Sequence, residues 1–115
     1  MNSINFKIFF TFFQLSKSVG NLIEQQRALA TLGRTYFVQA EQITEKAGTR
    51  QCLKRSEKAY FESLELCNTL NTSLTQKEYL QMKARLYLNL GLVYEWKHDF
   101  KEAMKFVSKA LLISK

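Results

Sequence analysis

Residues 84–115 read ARLYLNLGLVYEWKHDFKEAMKFVSKALLISK, and this stretch decides the fold. Tyr87, Leu90-Gly91 and Tyr94 recur at helical spacing on one face. His98-Asp99-Phe100 reads as a turn, with Asp99 placed to cap a second helix. That helix carries Ala103, Val107 and Ala110-Leu111 on one stripe. Gly91 and Ala103 are small where two paired helices would cross closely. Any amphipathic hairpin shows an apolar period. The order of small and large residues here is more specific.

A large apolar residue, Leu-Gly, an aromatic, then Ala, aromatic, Ala is the order of a tetratricopeptide (TPR) repeat. Val107 stands where the aromatic is usual. One such pair cannot bury its own apolar face, so a second copy is expected. Leu29, Leu32-Gly33 and Tyr36 in QRALATLGRTYF repeat the first-helix spacing. A polar stretch follows at 42–51, with Gly48 inside it. Ser56, Tyr60 and Ser63-Leu64 then restore the second-helix spacing in KRSEKAYFESLELCNTL. Serine replaces alanine at both tight positions, small for small. A second insertion at 71–82 separates the copies. Both insertions are rich in Glu, Gln, Lys and Leu and read as helical extensions.

The expected fold is all-α, a TPR-type solenoid of antiparallel helix pairs. The chain has no Pro and four Gly. Helices are expected over 5–18, 22–46, 50–70, 76–97 and 100–114. Asn21, Thr49, Thr75 and Asp99 are the caps, and Thr75 with Glu78 fits a capping box. Short breaks imply antiparallel neighbours. The repeats occupy 12–115, as an extended repeat at 26–70 and a second at 84–115. Solenoids need about three repeats and polar end caps. This chain offers two, and its last helix ends with an apolar stripe uncovered, so it reads as a piece of a longer array. Residues 1–11 fall outside the pattern. Phe6, Ile8, Phe9, Phe10, Phe12 and Phe13 make an apolar patch there. It lacks the basic region and cleavage site of a signal peptide, and it is too short to span a membrane. It reads as the second helix of an earlier repeat, or as flanking sequence joined by a wrong start.

The chain carries 17 Lys plus Arg against 10 Asp plus Glu, a net charge of +7. The cations are dispersed among Glu and Gln, as on solvated helix faces. Lys54-Arg55 and Lys58 form the one tight group, interrupted by Glu57 and Glu62. No aromatic-basic interleaving of the kind that stacks bases is present. The pattern therefore argues against direct nucleic-acid binding. Steep salt dependence would be the sign of a phosphate binder.

Nothing in the sequence points to catalysis or a cofactor. Cys52 and Cys67 sit fifteen residues apart on one helix, beyond disulfide reach, and read as reduced thiols of an intracellular protein. His98 has no partners at metal-ligand spacing. No phosphate loop or nucleophile elbow appears. Glu45-Lys46 and Glu57-Lys58 read as surface charges. The chain is therefore read as a non-enzyme with no small-molecule substrate.

What remains is a protein-binding face. In a TPR array the first helix of each pair lines the concave groove. Positions not spent on the core are Arg27, Ala30, Arg34 and Phe37 in the first repeat. In the second they are Arg85, Leu88, Asn89, Leu92 and Glu95. The arginines suit acidic partner groups, and Asn89 suits a peptide backbone. The competing reading of each is a contact with the neighbouring repeat.

The segments EQQRALATLGRTYF, KAYFESLELCNTL and MKARLYLNLGLVYEW, in this order and with these insertions, resemble the TPR region of Tonsoku-like proteins. The LGRT, FESL and RLYLNLG runs are the specific parts, and the likeness covers residues 12–115. The resemblance implies a nuclear scaffold that supports homologous recombination at damaged replication forks. It implies protein partners drawn from replication and histone-handling factors. The alternative is a cytoplasmic TPR adaptor for peptide ligands, of the spindle-orientation or kinesin-light-chain type.

Overall fold

The computed structural model describes residues 6–11 and 21–114. Among these residues every regular element is helical. A first helical stretch, α1, is described over 6–11. It is followed by α2 (Leu22–Gln42), α3 (Lys46–Thr69), a short 3-10 turn (Leu70–Thr72), α4 (Gln76–Trp96) and α5 (Phe100–Ile113). The expected helix at 5–18 and the apolar patch at Phe12 and Phe13 extend outside the described residues.

Three of the four expected caps are in place. The Asn21 side chain accepts from the Glu24 N–H at 3.0 Å. Thr75 and Glu78 form the reciprocal capping box. Asp99 accepts from the Glu102 N–H at 3.2 Å. Each satisfies a donor that the helix start leaves unpaired.

Thr49 is not a cap. The chain breaks earlier, at 43–45, after Ile43 turns extended with ψ 130°. Thr49 lies in the first turn of α3, where its hydroxyl donates to the Ile43 and Glu45 carbonyls. Gly48 is helical too. A Cβ there would meet Ile43 Cγ2 at 3.0 Å, so its small size makes room for the Ile43 side chain. The polar stretch 42–51 is therefore a tight turn and the start of α3. Likewise 71–82 is the end of the 3-10 turn and the first two turns of α4.

α4 ends differently. His98 takes the left-handed conformation, φ 62°. Asp99 N–H then donates to Tyr94 and His98 N–H to Glu95. This is the Schellman closure of a helix C-terminus, and it turns the chain sharply into α5.

The helices pair antiparallel: α2 packs on α3 and α4 on α5, with α3 against α4 between the pairs. Register follows from buried contacts. Gln26 meets Ser63 and Gly33 meets Ser56, so numbers rise on one helix as they fall on the other. The body measures 43 × 35 × 14 Å. So thin a slab buries residues only between neighbouring helices, as in solenoids.

Both pairs use one device at the crossing. A Cβ on Gly33 would lie 2.8 Å from two ring atoms of Tyr60. A Cβ on Gly91 would lie 3.0 Å from Val107 Cγ2. Tyr60 and Val107 are thus the same knob in the two repeats. The aromatic missing at 107 is supplied one residue earlier. Phe106 is buried, stacks on Tyr94 at 5.4 Å and meets Phe61 edge-on at 5.9 Å.

The serines at the tight positions do more than fit. Ser56 Oγ donates to the Gly33 carbonyl at 2.6 Å. Ser63 Oγ donates to the Gln26 carbonyl and accepts from Gln26 Nε2, both at 2.9 Å. Gln26 is 4% exposed, so its amide depends on that partner. Ser63→Ala should cost about 1–3 kcal/mol, because it leaves a buried donor unmet. Chemical denaturation of Ser63→Ala and Ser63→Ala/Gln26→Leu checks this. The second change should restore part of the loss.

Cys52 and Cys67 are both buried on α3 and unbridged. Burial pushes both thiols up, and the charges of Arg55 and Lys83 respectively draw them partly back.

Candidate protein-binding cleft

A cleft of about 450 Å³ opens between α2 and α4. Arg27, Ala30 and Thr31 line it from α2. Glu78, Arg85 and Asn89 line it from α4, above Met82 and Leu86. On each helix these positions recur every three or four residues and so share one stripe. Neither arginine takes part in an ion pair among the described residues. The Glu78 carboxylate accepts from the Thr75 hydroxyl at 2.7 Å, which holds it to its own helix end. The cleft thus offers two guanidinium groups and an amide beside one occupied carboxylate.

The expected binding residues do not all meet here. Arg27, Ala30, Arg85 and Asn89 come together. Leu88, Leu92 and Glu95 line a separate cleft of about 320 Å³ between α4 and α5. At about 100° per residue, they fall on the α5 side of α4 and Asn89 on the α2 side. Phe37 meets Trp96 edge-on, with ring centroids 5.8 Å apart. It is packed against the core, so it serves as a contact between repeats. The carboxylate beside the arginines is Glu78, while Glu95 lies in the α4–α5 cleft. Sequence reading assigned Glu78 only a capping role and left out Thr31 and Met82. The stripe through Arg85 would have found Glu78 and Met82.

Arg34 is exposed one turn beyond the cleft on the α2 stripe. Its charge reaches the Tyr60 hydroxyl. Burial pushes the Tyr60 phenol up to about 12, and Arg34 draws it partly back. An unfolded tyrosine titrates near ~10. Native Tyr60 therefore stays neutral where the unfolded chain ionises. Its contribution is whole below that value and is lost as pH rises through the folded one. Melts should fall steeply above about pH 10, and Tyr60→Phe should flatten part of the fall. Tyr94, also raised by burial and by Glu57, leaves the remainder.

Glu57 is not a plain surface charge. It accepts from the Tyr94 hydroxyl and pairs with Lys97 Nζ at 2.7 Å. This ties α3 to the end of α4.

Among the described residues no His/Cys/Asp/Glu group could hold a metal. No described helix is long and apolar enough to cross a membrane.

Stacked antiparallel helix pairs, small residues at each crossing and a cleft between first helices define a helical-repeat protein. No protein-family model and no solved structure matches the chain. Curated relatives do. It is 36% identical over 106 residues to the Tonsoku-like protein of Drosophila melanogaster, covering 90% of this chain and 8% of the relative. It is 30% identical over 104 residues to that of Bos taurus, covering 90% and 7%. The mouse Tonsoku-like protein is 39% identical over 85 residues, 73% and 6%. The chain is a Tonsoku-like segment, and it spans less than a tenth of the relatives it matches.

Proposed function

We propose that this chain is a protein-binding part of a Tonsoku-like scaffold, with the α2–α4 cleft as its peptide site. The observation that carries this is the convergence of Arg27 and Arg85 from two different helix pairs. Each is exposed and outside any described ion pair, and Asn89 stands beside them. Two guanidiniums held by separate helices suit two carboxylates on one extended segment. The amide suits that segment's backbone. By the family resemblance, the partners are replication and histone-handling factors. The setting is the nucleus, in homologous recombination at damaged forks. The chain works by holding partners and not by catalysis.

Charge-assisted hydrogen bonds contribute about 1.5–3 kcal/mol each before desolvation is subtracted. Arg27→Glu with Arg85→Glu should therefore weaken capture of acidic partners by about tenfold or more. The test is pull-down from nuclear extract with quantitative mass spectrometry, beside circular dichroism of the variant. A folded variant that recovers every partner at wild-type level would remove the cleft from the reading.

A further inference from the structure

The outward face of α3 carries a feature that the cleft does not use. A broad groove of about 990 Å³ runs along α3 from Arg50 to Asn68 and is edged by Lys97. It lies opposite the Ser56–Tyr60–Ser63 face that packs on α2. Arg50, Lys54 and Lys58 recur every four residues and form one exposed stripe. None of the three is in an ion pair among the described residues. Glu57, the carboxylate between Lys54 and Lys58, is taken by Lys97 and Tyr94. The three cations therefore stay outside the described ion pairs, and Glu62 follows them one turn on. Beside it Phe61 is 37% exposed and is braced from behind by Phe106. Leu64 continues the apolar floor, half-buried.

We propose that this face is a second docking surface, which takes an acidic protein segment bearing an apolar anchor. Carboxylates on the segment pair with Arg50, Lys54 and Lys58, while the anchor seats on Phe61 and Leu64. A fixed apolar floor beside a row of unpaired cations fits an amphipathic acidic helix or strand. Nucleic acid fits less well. Glu62 and Glu65 line the same groove and would repel a continuous run of phosphates. A single exposed aromatic gives no stacking ladder. Discrete carboxylates, by contrast, can be spaced to meet the stripe and avoid both glutamates. The surface is separate from the α2–α4 cleft and does not depend on that reading.

The test is fluorescence anisotropy on the whole chain. The probe is a labelled Glu/Asp peptide with Leu and Phe at positions i, i+3, i+4 and i+7. Controls are the same peptide with Ser at those positions, and labelled single-stranded and duplex DNA. The parent peptide should bind, and the Ser peptide should bind at least about tenfold more weakly. Lys54→Glu with Lys58→Glu should lower affinity for the parent peptide by about tenfold or more. Lys54→Gln with Lys58→Gln should give a smaller loss and serves if the reversed variant does not fold. No peptide binding overturns the proposal, as does a change below about twofold in the folded variants. DNA bound as tightly as the peptide overturns it in favour of a nucleic-acid surface. Loss of peptide in Arg27→Glu/Arg85→Glu with none in the α3 variants moves the site to the α2–α4 cleft and overturns it too.

Discussion

Gly33→Leu should destabilise the chain by about 3 kcal/mol or more, the upper end of overpacking costs. The first atom of any side chain there would already lie 2.8 Å from the Tyr60 ring. Tyr60 is 2% exposed, so the ring has nowhere to go. The helices must separate, and the Ser56 bond to the Gly33 carbonyl would stretch with them. Gly91→Leu should cost less, about 1–3 kcal/mol. Its nearest neighbour is a half-buried valine methyl that can shift. For a domain of this size each kcal/mol moves the melt by about 4 °C. Thermal melts of the two variants side by side should rank them in that order. A Gly33→Leu protein that melts with the wild type would refute the crossing described here.

Phe106→Ala should be as severe, about 3–5 kcal/mol, the usual cost of emptying an aromatic site in a core. Phe106 touches the rings of Tyr94, Tyr87 and Phe61, and so joins α5 to both α4 and α3. α5 otherwise rests mainly on α4. Its amides should therefore exchange first in the variant, while those of α2 and α3 keep more of their protection. Hydrogen exchange by mass spectrometry separates the two regions. Uniform loss of protection along the chain would mean that the two helix pairs unfold as one unit.

How far the sequence reached depends on the kind of signal. Periodicity is local, and it placed four helices within a few residues of their observed ends. Side-chain capping is local too, so Asn21, Thr75 and Asp99 were legible as starts. The Leu-Gly pairs were legible as crossings because a residue without a side chain lets Tyr60 approach freely and Val107 approach most closely. The break at 43–45 was not legible. Gly48 and Thr49 resemble punctuation, yet both serve the turn from inside α3, through contact with Ile43.

The proposed binding face divided in the same way. The sequence alone determined that Arg27, Arg85 and Asn89 point away from their own helices' cores. The tertiary structure decided which of these stripes meet. It joined Arg27 to Arg85 across two helix pairs, gave Phe37 to Trp96, and turned Leu88, Leu92 and Glu95 toward α5. It also paired Glu57 with Lys97 and Tyr94 and left Arg50, Lys54 and Lys58 outside any ion pair among the described residues. The physical reason is that helical spacing fixes a side chain's direction about its own axis, whereas the neighbour it meets depends on how the helices cross. Gly33 and Gly91 admit the close crossings within each pair, but the contacts of Phe106 with Phe61 and of Glu57 with Lys97 join residues across sequence separations that no local pattern records.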